Sequence, residues 1–211
     1  MPKDLCSIKL RNIFNSLLSR ILLGFNKIYF LSLLIVFDIK ISESNCELDI
    51  GVGSGCILLT ILKDKVSFYG TGIDISQKCL IISKKNAIAH KVSSRLKLYK
   101  SDVDKFNLGK YDLIVSNPPY IKTNKLKYLE RDVTKFEPRQ ALDGGLDGLS
   151  EIRKVIKKSS ELIKKSGKLI LEIGFDQKNK VINLLKKEGF YINSTQKDLA
   201  NNDRCIVSTK I

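Results

Sequence analysis

The feature that most constrains the fold is an alternation of short apolar runs with amphipathic segments, which starts at Glu47 and continues to the carboxyl end. Short apolar or β-branched runs are typical of buried strands, and apolar residues at helical spacing are typical of covering helices. The sequence predicts strands at residues 47–50, 67–73, 95–99, 111–115, 168–173, 190–193 and 204–209. It predicts helices at residues 55–63, 76–90, 149–165 and 176–187. This order is typical of an α/β fold in which helices cover both faces of a mostly parallel sheet.

Two local patterns refine this prediction. The last two predicted strands are separated by a loop alone, so we expect them to pair antiparallel. In the second predicted helix, Ser76 stands at the N-cap position, and Leu80, Ser83 and Ala87 share one face. The predicted fold is therefore a seven-stranded, mostly parallel sheet with an antiparallel carboxyl-terminal strand.

The first 46 residues differ from the rest of the chain. A length of 211 residues suits one α/β domain, which we place at residues 47–211, after a separate segment at residues 1–46. Residues 21–37 are strongly apolar, but Lys27 interrupts them. The uninterrupted part, residues 28–37, has about half of the roughly 20 residues that a bilayer span needs. The pattern favours a packing helix over a membrane span, and a poorly ordered segment is a third possibility.

The charge of the chain is strongly positive. There are 37 basic and 22 acidic residues, for a formal net charge of +15. An acidic partner such as nucleic acid would fit this charge, but the excess is mostly lysine and is spread over the whole length. A diffuse basic surface predicts at most a weak, non-specific attraction to nucleic acid or the ribosome.

The cysteine pattern argues against metal and thiol chemistry. The chain has five scattered cysteines, at Cys6, Cys46, Cys56, Cys79 and Cys205. They form no C-x-x-C pair, and His90 is the single histidine, so a zinc site or a Cys/His nucleophile is not expected. Scattered thiols of this kind are typical of reduced, cytoplasmic proteins.

The turn after the first predicted strand is rich in glycine. Asp49 is followed by Gly51, Val52, Gly53, Ser54 and Gly55. Glycines at such a point allow a tight turn and a close approach of the backbone to a ligand, with a helix amino terminus behind it. An acidic residue there favours a ligand amine over a phosphate, so we expect Asp49 to accept hydrogen bonds from an amine.

Carboxylates also follow the next two predicted strands. Asp74 ends the second strand, where a carboxylate can hold the two hydroxyls of a ribose. After the third strand, Asp102 can accept from an adenine amino group and Val103 can pack on its ring. Each carboxylate alone could be a helix cap or a turn residue. Their occurrence at successive strand ends favours a nucleoside-containing ligand.

A short motif follows the fourth predicted strand. It consists of Asn117, Pro118, Pro119 and Tyr120. The asparagine side chain offers an acceptor and a donor, and the two prolines lack N–H groups, so their carbonyl oxygens are free to face a ligand. A plain strand-ending turn is the alternative. A planar amino group fits the acceptors of this tetrapeptide, which lies where open α/β sheets bind ligands.

Residues 120–148 form a long stretch without a clear period. Long irregular segments inside compact domains are usually functional or disordered. This one contains Phe136 and Glu137, followed by Asp143, Gly144 and Gly145. We expect it to form an ordered flap over the Asn117 site.

The order of these motifs resembles the class I S-adenosylmethionine-dependent methyltransferases, from Glu47 to the carboxyl end. The resemblance implies a Rossmann-like fold in which the glycine turn lies against the methionine part of S-adenosylmethionine. It also implies that Asp74 holds the ribose, that Asp102 and Val103 flank the adenine, and that Asn117 lies beside the reactive methyl. The tetrapeptide is similar to those of enzymes that methylate amino groups of nucleobases or protein amides.

Further segments resemble the release-factor glutamine methyltransferases, the HemK/PrmC-type family. The similar segments are residues 130–133, 136–142, 145–149, 171–174 and 197–204. The resemblance implies methylation of the side-chain amide nitrogen (N5) of glutamine in the Gly-Gly-Gln motif of peptide chain release factors. Asn117 and Pro118 would accept the two amide hydrogens and Tyr120 would pack the amide plane, which makes them the catalytic residues. Pro119, Phe136 and Glu137 would complete the substrate site.

Two other functions stay open at this point. The same tetrapeptide fits an adenine-N6 methyltransferase of DNA or RNA, although no clustered basic and aromatic stripe supports one. A degenerate, inactive relic is the second alternative. Members of the family carry a helical domain ahead of the catalytic domain, whereas 46 residues precede the first predicted strand here. We expect a monomer with a shortened amino-terminal segment.

Overall fold

The computed structural model describes residues 45–128, 139–198 and 200–211. Within them, the predicted alternation of strands and helices is confirmed. The strands are β1 (Cys46–Ile50), β2 (Tyr69–Asp74), β3 (Leu96–Lys100), β4 (Tyr111–Ser116), β5 (Ile163–Glu172), β6 (Phe190–Lys197) and β7 (Asp203–Lys210). The helices are α1 (Cys56–Asp64), α2 (Gln77–Ala89), α3 (Ser150–Leu162) and α4 (Lys178–Lys187). Short 3₁₀ turns lie at Ser93–Arg95, Val103–Lys105, Thr123–Tyr128 and Arg139–Ala141.

The seven strands form one sheet in the order β3-β2-β1-β4-β5-β7-β6. The first five strands in the chain pair in parallel, and β7 is antiparallel to both β5 and β6. This confirms the predicted fold class and the antiparallel end of the sheet. Because the chain moves outward from β1 to β3 and then returns to the other side of β1 with β4, the strand order reverses between β1 and β4.

Helices cover both faces of the sheet, as predicted. On one face, α1 and α2 bury a cluster that includes Leu58, Leu62 and Leu80 against the sheet. On the other face, α3 and α4 bury a cluster that includes Ile156 and Val181. Leu48 and Ile114, which are fully buried, lie on this second face. The inner strands are therefore buried on both faces, which explains their continuous apolar runs.

Helix α2 begins and packs as its sequence predicts. The Ser76 side chain accepts a hydrogen bond from the backbone N–H of Cys79, at 3.4 Å. Leu80, Ser83 and Ala87 are its buried residues, one helical turn apart. The small Ser83 allows a close approach to the glycine turn, because a Cβ atom on Gly55 would lie 2.6 Å from its hydroxyl oxygen.

Three element boundaries differ from the prediction by three residues or more, which are the end of α3, the start of β5 and the end of β6. We predicted a helix at residues 149–165, but α3 ends at Leu162 and Ile163 already has extended backbone, with φ −79° and ψ 142°. Ile163 is drawn into the sheet, where it pairs with Tyr111. Strand β6 continues beyond the predicted residue 193, because β7 offers it a partner as far as the pair of Lys197 and Asp203.

Several expectations fall on residues outside the described ranges. The apolar residues 21–37, and with them most of the predicted amino-terminal segment, belong to this group. The same holds for Phe136 and Glu137 of the predicted substrate site. Among the residues that the structure describes, no helix combines the length and the apolar character needed to cross a membrane.

Glu47 of β1 is an acidic residue that is fully buried. Glu47 is 0 % exposed, and neither carboxyl oxygen has a hydrogen-bonding partner among the described residues. Burial raises the pKa of Glu47 well above its ordinary value of 4.5, and the nearby Asp49 raises it further. The group is therefore held protonated in the folded protein over a pH range in which the unfolded chain has lost the proton.

This burial predicts a fall in stability with rising pH. Since the folded state binds the proton more tightly, the contribution of Glu47 to the free energy of unfolding declines from about pH 4.5 up to the raised pKa. Glu47→Gln keeps the shape and cannot ionise, so its unfolding free energy should fall less over this range. We expect the two proteins to diverge between pH 4 and pH 8, with Glu47→Gln relatively more stable at pH 8.

Urea unfolding at a series of pH values, followed by circular dichroism, measures this difference. The two proteins share all other titrating groups, so their curves differ through residue 47 and its interaction with Asp49. Parallel curves for the two proteins would contradict the burial of an unpartnered carboxyl group.

Candidate active site

The predicted site residues converge on one edge of the sheet. They follow β1, β2, β3 and β4, which run in parallel and therefore end on the same side. Ile50 and Ser116 are register partners at the ends of β1 and β4, so Gly51 and Asn117 leave adjacent strands. The reversal of strand order between β1 and β4 opens a crevice there, which is the usual ligand site of such sheets.

The glycine turn after β1 is fixed by backbone hydrogen bonds to β2. The N–H groups of Gly51 and Val52 both donate to the Ile73 carbonyl, at 2.9 Å each. Gly51 and Gly55 have φ values of +77° and +83°, which other residues adopt only with strain. A Cβ atom on Gly51 would meet no atom within 4 Å. The side of the turn at Gly51 is thus open to a ligand, whereas Gly55 is packed against α2.

Asp74 joins the glycine turn to the end of β2. One carboxylate oxygen accepts from the Gly53 N–H at 2.9 Å, and the other accepts from the Ser76 N–H at 2.8 Å. A carboxylate has about four lone-pair sites, so further acceptor positions are left for hydroxyl groups. Asp74 therefore fixes the backbone just before α2 through the Ser76 N–H and is half-buried at the crevice, and its contact with ribose hydroxyls stays a prediction.

Asp49 lies beneath the glycine turn rather than on its surface. It is 1 % exposed, and its carboxylate accepts a hydrogen bond from the Leu58 N–H in the first turns of α1. Burial raises the pKa of Asp49 from 3.8 to about 7, the Leu58 N–H opposes this shift, and the charge of Asp74 adds to it. Its direct contact with a ligand amine stays a prediction.

Asp102 and Val103 lie at the end of β3, beside Asp74. The Ser101 N–H donates to the Asp74 carbonyl at 3.1 Å, which ties the two strand ends together. One Asp102 carboxylate oxygen accepts from the Asp104 N–H at 3.0 Å. Val103 is half-buried and packs against the core on the α3 face. The residues expected at the ribose and adenine are therefore neighbours.

The tetrapeptide after β4 starts from a fixed point. The buried Ser116 hydroxyl donates to the Ile50 carbonyl at 2.8 Å, which holds the ends of β1 and β4 together. Asn117 is half-buried, and its side-chain amide has no hydrogen-bonding partner among the described residues. Pro118 is buried, and the Tyr120 hydroxyl donates to the Glu172 carboxylate at 3.4 Å. Asn117 thus retains its acceptor and its donors for a ligand.

The backbone after the tetrapeptide pairs with the carboxyl-terminal end of the predicted flap. The Ile121 N–H donates to the Leu142 carbonyl at 3.1 Å, and the Gly144 N–H donates back to the Ile121 carbonyl at 2.8 Å. A Cβ atom on Gly144 would lie 2.8 Å from the Tyr120 Cα. The predicted flap is therefore ordered beside the tetrapeptide at residues 139–148, and residues 129–138 lie outside the described ranges.

Three residues at the site were not singled out by sequence reasoning. The Ser116 hydroxyl donates to the Ile50 carbonyl just before the tetrapeptide, Glu172 accepts from the Tyr120 hydroxyl, and the Gln177 side chain donates to the Tyr120 carbonyl at 3.0 Å. A sequence signal existed for Glu172, because it lies at the end of a predicted strand and in the segment 171–174 that resembles the family, whereas none marked Gln177. In the parts of the chain that the structure covers, no cluster of three His, Cys, Asp or Glu side chains is arranged to hold a metal ion.

Comparison with sequence families places this site in a known context. The sequence model of the methyltransferase small domain matches residues 28–135. The release factor glutamine methyltransferase of Caulobacter vibrioides is 39% identical over 164 residues, which are 77% of this chain and 57% of that protein. The enzyme of the same name from Rhodospirillum rubrum is 38% identical over 163 residues, which are 77% of this chain and 50% of that protein. The chain thus spans about half the length of these relatives.

Solved structures show the same fold. The ribosomal protein L11 methylase from Lactobacillus delbrueckii has a TM-score of 0.66 at 18% identity, covering 89% of this chain and 81% of that one. The magnesium protoporphyrin IX methyltransferase from Synechocystis has a TM-score of 0.59 at 14% identity, covering 87% of this chain and 78% of that one.

The resemblance to release factor glutamine methyltransferases is confirmed by the relatives. By the match over residues 28–135, together with this fold, the chain belongs to the methyltransferase small domain family.

Proposed function

We propose that this chain binds S-adenosylmethionine and transfers its methyl group to the side-chain amide nitrogen (N5) of glutamine in the Gly-Gly-Gln motif of peptide chain release factors. The names of the relatives from Caulobacter vibrioides and Rhodospirillum rubrum support this substrate class. The observation that carries the proposal is the half-buried Asn117 amide, unpartnered among the described residues, next to the open glycine turn at the reversal of strand order.

The cofactor site fits the chemistry of S-adenosylmethionine. The open side of Gly51 admits the methionine part, and the remaining acceptor positions of Asp74 suit the ribose hydroxyls. Asp102 has a carboxylate oxygen for the adenine amino group, and the apolar Val103 lies next to it. When bound, the cofactor supplies an electrophilic methyl group on a sulfonium. Asp49, beneath the turn, contributes negative charge when ionised and so favours a ligand that carries positive charge.

The tetrapeptide suits a carboxamide substrate. An amide nitrogen is a poor nucleophile because its lone pair is delocalised into the carbonyl, so orientation matters more than a strong base. The Asn117 Oδ1 and the Pro118 carbonyl can each accept one amide hydrogen and hold the nitrogen towards the methyl group. Orientation of reactants can contribute up to roughly 7 to 11 kcal/mol to the lowering of a barrier. The proposal needs no nucleophilic cysteine or histidine.

Other parts of the proposal concern the protein substrate. We assign Pro119, Tyr120, Phe136 and Glu137 to contacts with the glutamine-containing loop of the release factor. The diffuse positive charge adds a weak, salt-dependent attraction to nucleic acid or the ribosome, where release factors act. The release factor is the proposed partner.

Replacing Asp74 tests the cofactor site. Asp74→Ala removes the acceptor for the Gly53 N–H and the ribose contact together, so we expect the dissociation constant for S-adenosylmethionine to rise at least 10-fold. Isothermal titration calorimetry measures this change. Asp64→Ala, which removes an exposed ion pair with Lys65 at the end of α1, is the matched control and should bind like the wild type. No binding to the wild type at millimolar ligand would contradict the cofactor assignment.

Replacing Asn117 separates methyl transfer from cofactor binding. Asn117→Ala removes the proposed amide acceptor, so we expect methyl transfer to a release factor to fall at least 100-fold, with cofactor affinity within about 3-fold of the wild type. The control is Asn124→Ala, an exposed asparagine in the 3₁₀ turn that follows. Unchanged transfer by Asn117→Ala would remove this residue from the mechanism.

The substrate is identified with S-adenosylmethionine that carries a labelled methyl group. We expect label in a release factor and none in the same factor when alanine replaces the glutamine of its Gly-Gly-Gln motif. Transfer RNA and double-stranded DNA serve as competing acceptors. Label in nucleic acid alone would support the adenine-N6 alternative and overturn the proposed substrate.

A further inference from the structure

The Gln177 side chain connects three segments of the candidate active site. It is 4 % exposed and precedes α4. Its Nε2 donates to the Tyr120 carbonyl at 3.0 Å and to the Gly148 carbonyl at 2.9 Å, while its Oε1 accepts from the Gly174 N–H at 2.9 Å. The amide hydrogens and the oxygen are thus all engaged with backbone groups of other segments.

These contacts are not those of an ordinary helix cap. A capping side chain accepts a hydrogen bond from an N–H group in the first turn of its own helix. The Gln177 side chain makes no such bond with α4. Since the hydrogen bonds instead run across 57 residues to Tyr120 and 29 residues to Gly148, their effect is on tertiary position.

Glycines make room for this amide on two sides. A Cβ atom on Gly148 would lie 2.8 Å from the Gln177 Nε2 and 2.6 Å from the Tyr120 carbonyl oxygen. A Cβ atom on Gly174 would lie 2.9 Å from the Gln177 Oε1. The surrounding backbone is therefore shaped to admit a glutamine side chain with both ends of its amide used.

The need for such a group follows from the prolines of the tetrapeptide. Pro118 and Pro119 have no N–H groups, so this stretch of backbone cannot be held by its own donors. Its position is set at its ends. The Ser116 hydroxyl holds the amino-terminal end to β1, and the Gln177 amide holds the carbonyl of Tyr120 at the other end.

We propose that Gln177 is a positioning residue. It fixes the position of the tetrapeptide carbonyls relative to the carboxyl-terminal end of the flap. It does not touch the substrate; it acts through the backbone of Tyr120 and Gly148. This inference rests on the proposed function, in which the Pro118 carbonyl and the Asn117 side chain orient a glutamine amide. Loss of the Gln177 amide should therefore reduce turnover more than the binding of either substrate.

The test compares Gln177→Met with the wild type. Methionine has a similar size and shape and cannot form the three hydrogen bonds. We expect kcat for methyl transfer to a release factor to fall at least 10-fold, while KM for the release factor and the dissociation constant for S-adenosylmethionine change less than 3-fold. All assays are run well below the melting temperature of each protein.

A stability-matched control separates positioning from folding. Ile61→Val shortens a buried side chain of α1, on the opposite face of the sheet from the cluster that Tyr120 packs against, so it lowers stability and should leave kcat unchanged. If Gln177→Met lowers the melting temperature as this control does and keeps the wild-type kcat, its role is structural and the proposal is overturned.

A second measurement does not depend on the proposed function. Hydrogen exchange of the Ile121 and Gly144 N–H groups, which pair the tetrapeptide exit with the flap, should accelerate at least 10-fold in Gln177→Met. The β1 and β4 amides should keep their wild-type rates. If the wild type transfers no methyl group to a release factor, the proposed function fails, and this exchange experiment still decides the positioning role. Unchanged exchange at both amides would refute it.

Discussion

The candidate site depends on one buried hydrogen bond, from the Ser116 hydroxyl to the Ile50 carbonyl at 2.8 Å. It closes the ends of β1 and β4 at the point where the strand order reverses. The glycine turn and the tetrapeptide leave the sheet on either side of this bond, so their relative position is set by two adjacent strands. A rigid junction of this kind allows an acceptor for one reactant to be held close to the site of the other.

Strand β1 also lowers the stability of the fold, because it buries acidic side chains. β1 directs two carboxyl groups, Glu47 and Asp49, into the α1 side of the sheet, where both are buried. Asp49 is compensated by the N–H of Leu58 near the start of α1, whereas Glu47 has no hydrogen-bonding partner among the described residues. Burial raises the pKa of both carboxyl groups, and Asp49 raises the pKa of Glu47 further, so ionisation of the two groups lowers the stability of the folded chain.

Local patterns predicted most of the fold, and long-range contacts account for the rest. The cap at Ser76 and the buried positions of α2 follow from residues a few places apart, which a sequence displays directly. The end of α3 does not follow from neighbouring residues. Ile163 would fit the apolar face of the helix equally well, and only its pairing with the distant Tyr111 shows that it belongs to β5. Asp74 was predicted at the crevice from its place at a strand end, whereas the hydrogen bonds of Gln177 to distant carbonyls leave no periodic trace in the sequence.

Two prolines explain why the loop of the candidate active site, residues 117–120, is held by hydrogen-bond donors from other segments. Without N–H groups at Pro118 and Pro119, the loop loses the usual means of fixing its own backbone, while the proposed function uses its carbonyl groups as acceptors for the substrate. The backbone of the loop must therefore be fixed by hydrogen-bond donors that belong to other segments of the chain. In this fold the donors come from Gln177 before α4 and from the flap at Gly144, which makes the acceptor geometry a property of three segments. In the proposed reaction, the orientation of the weakly nucleophilic amide nitrogen then depends on residues that do not contact it.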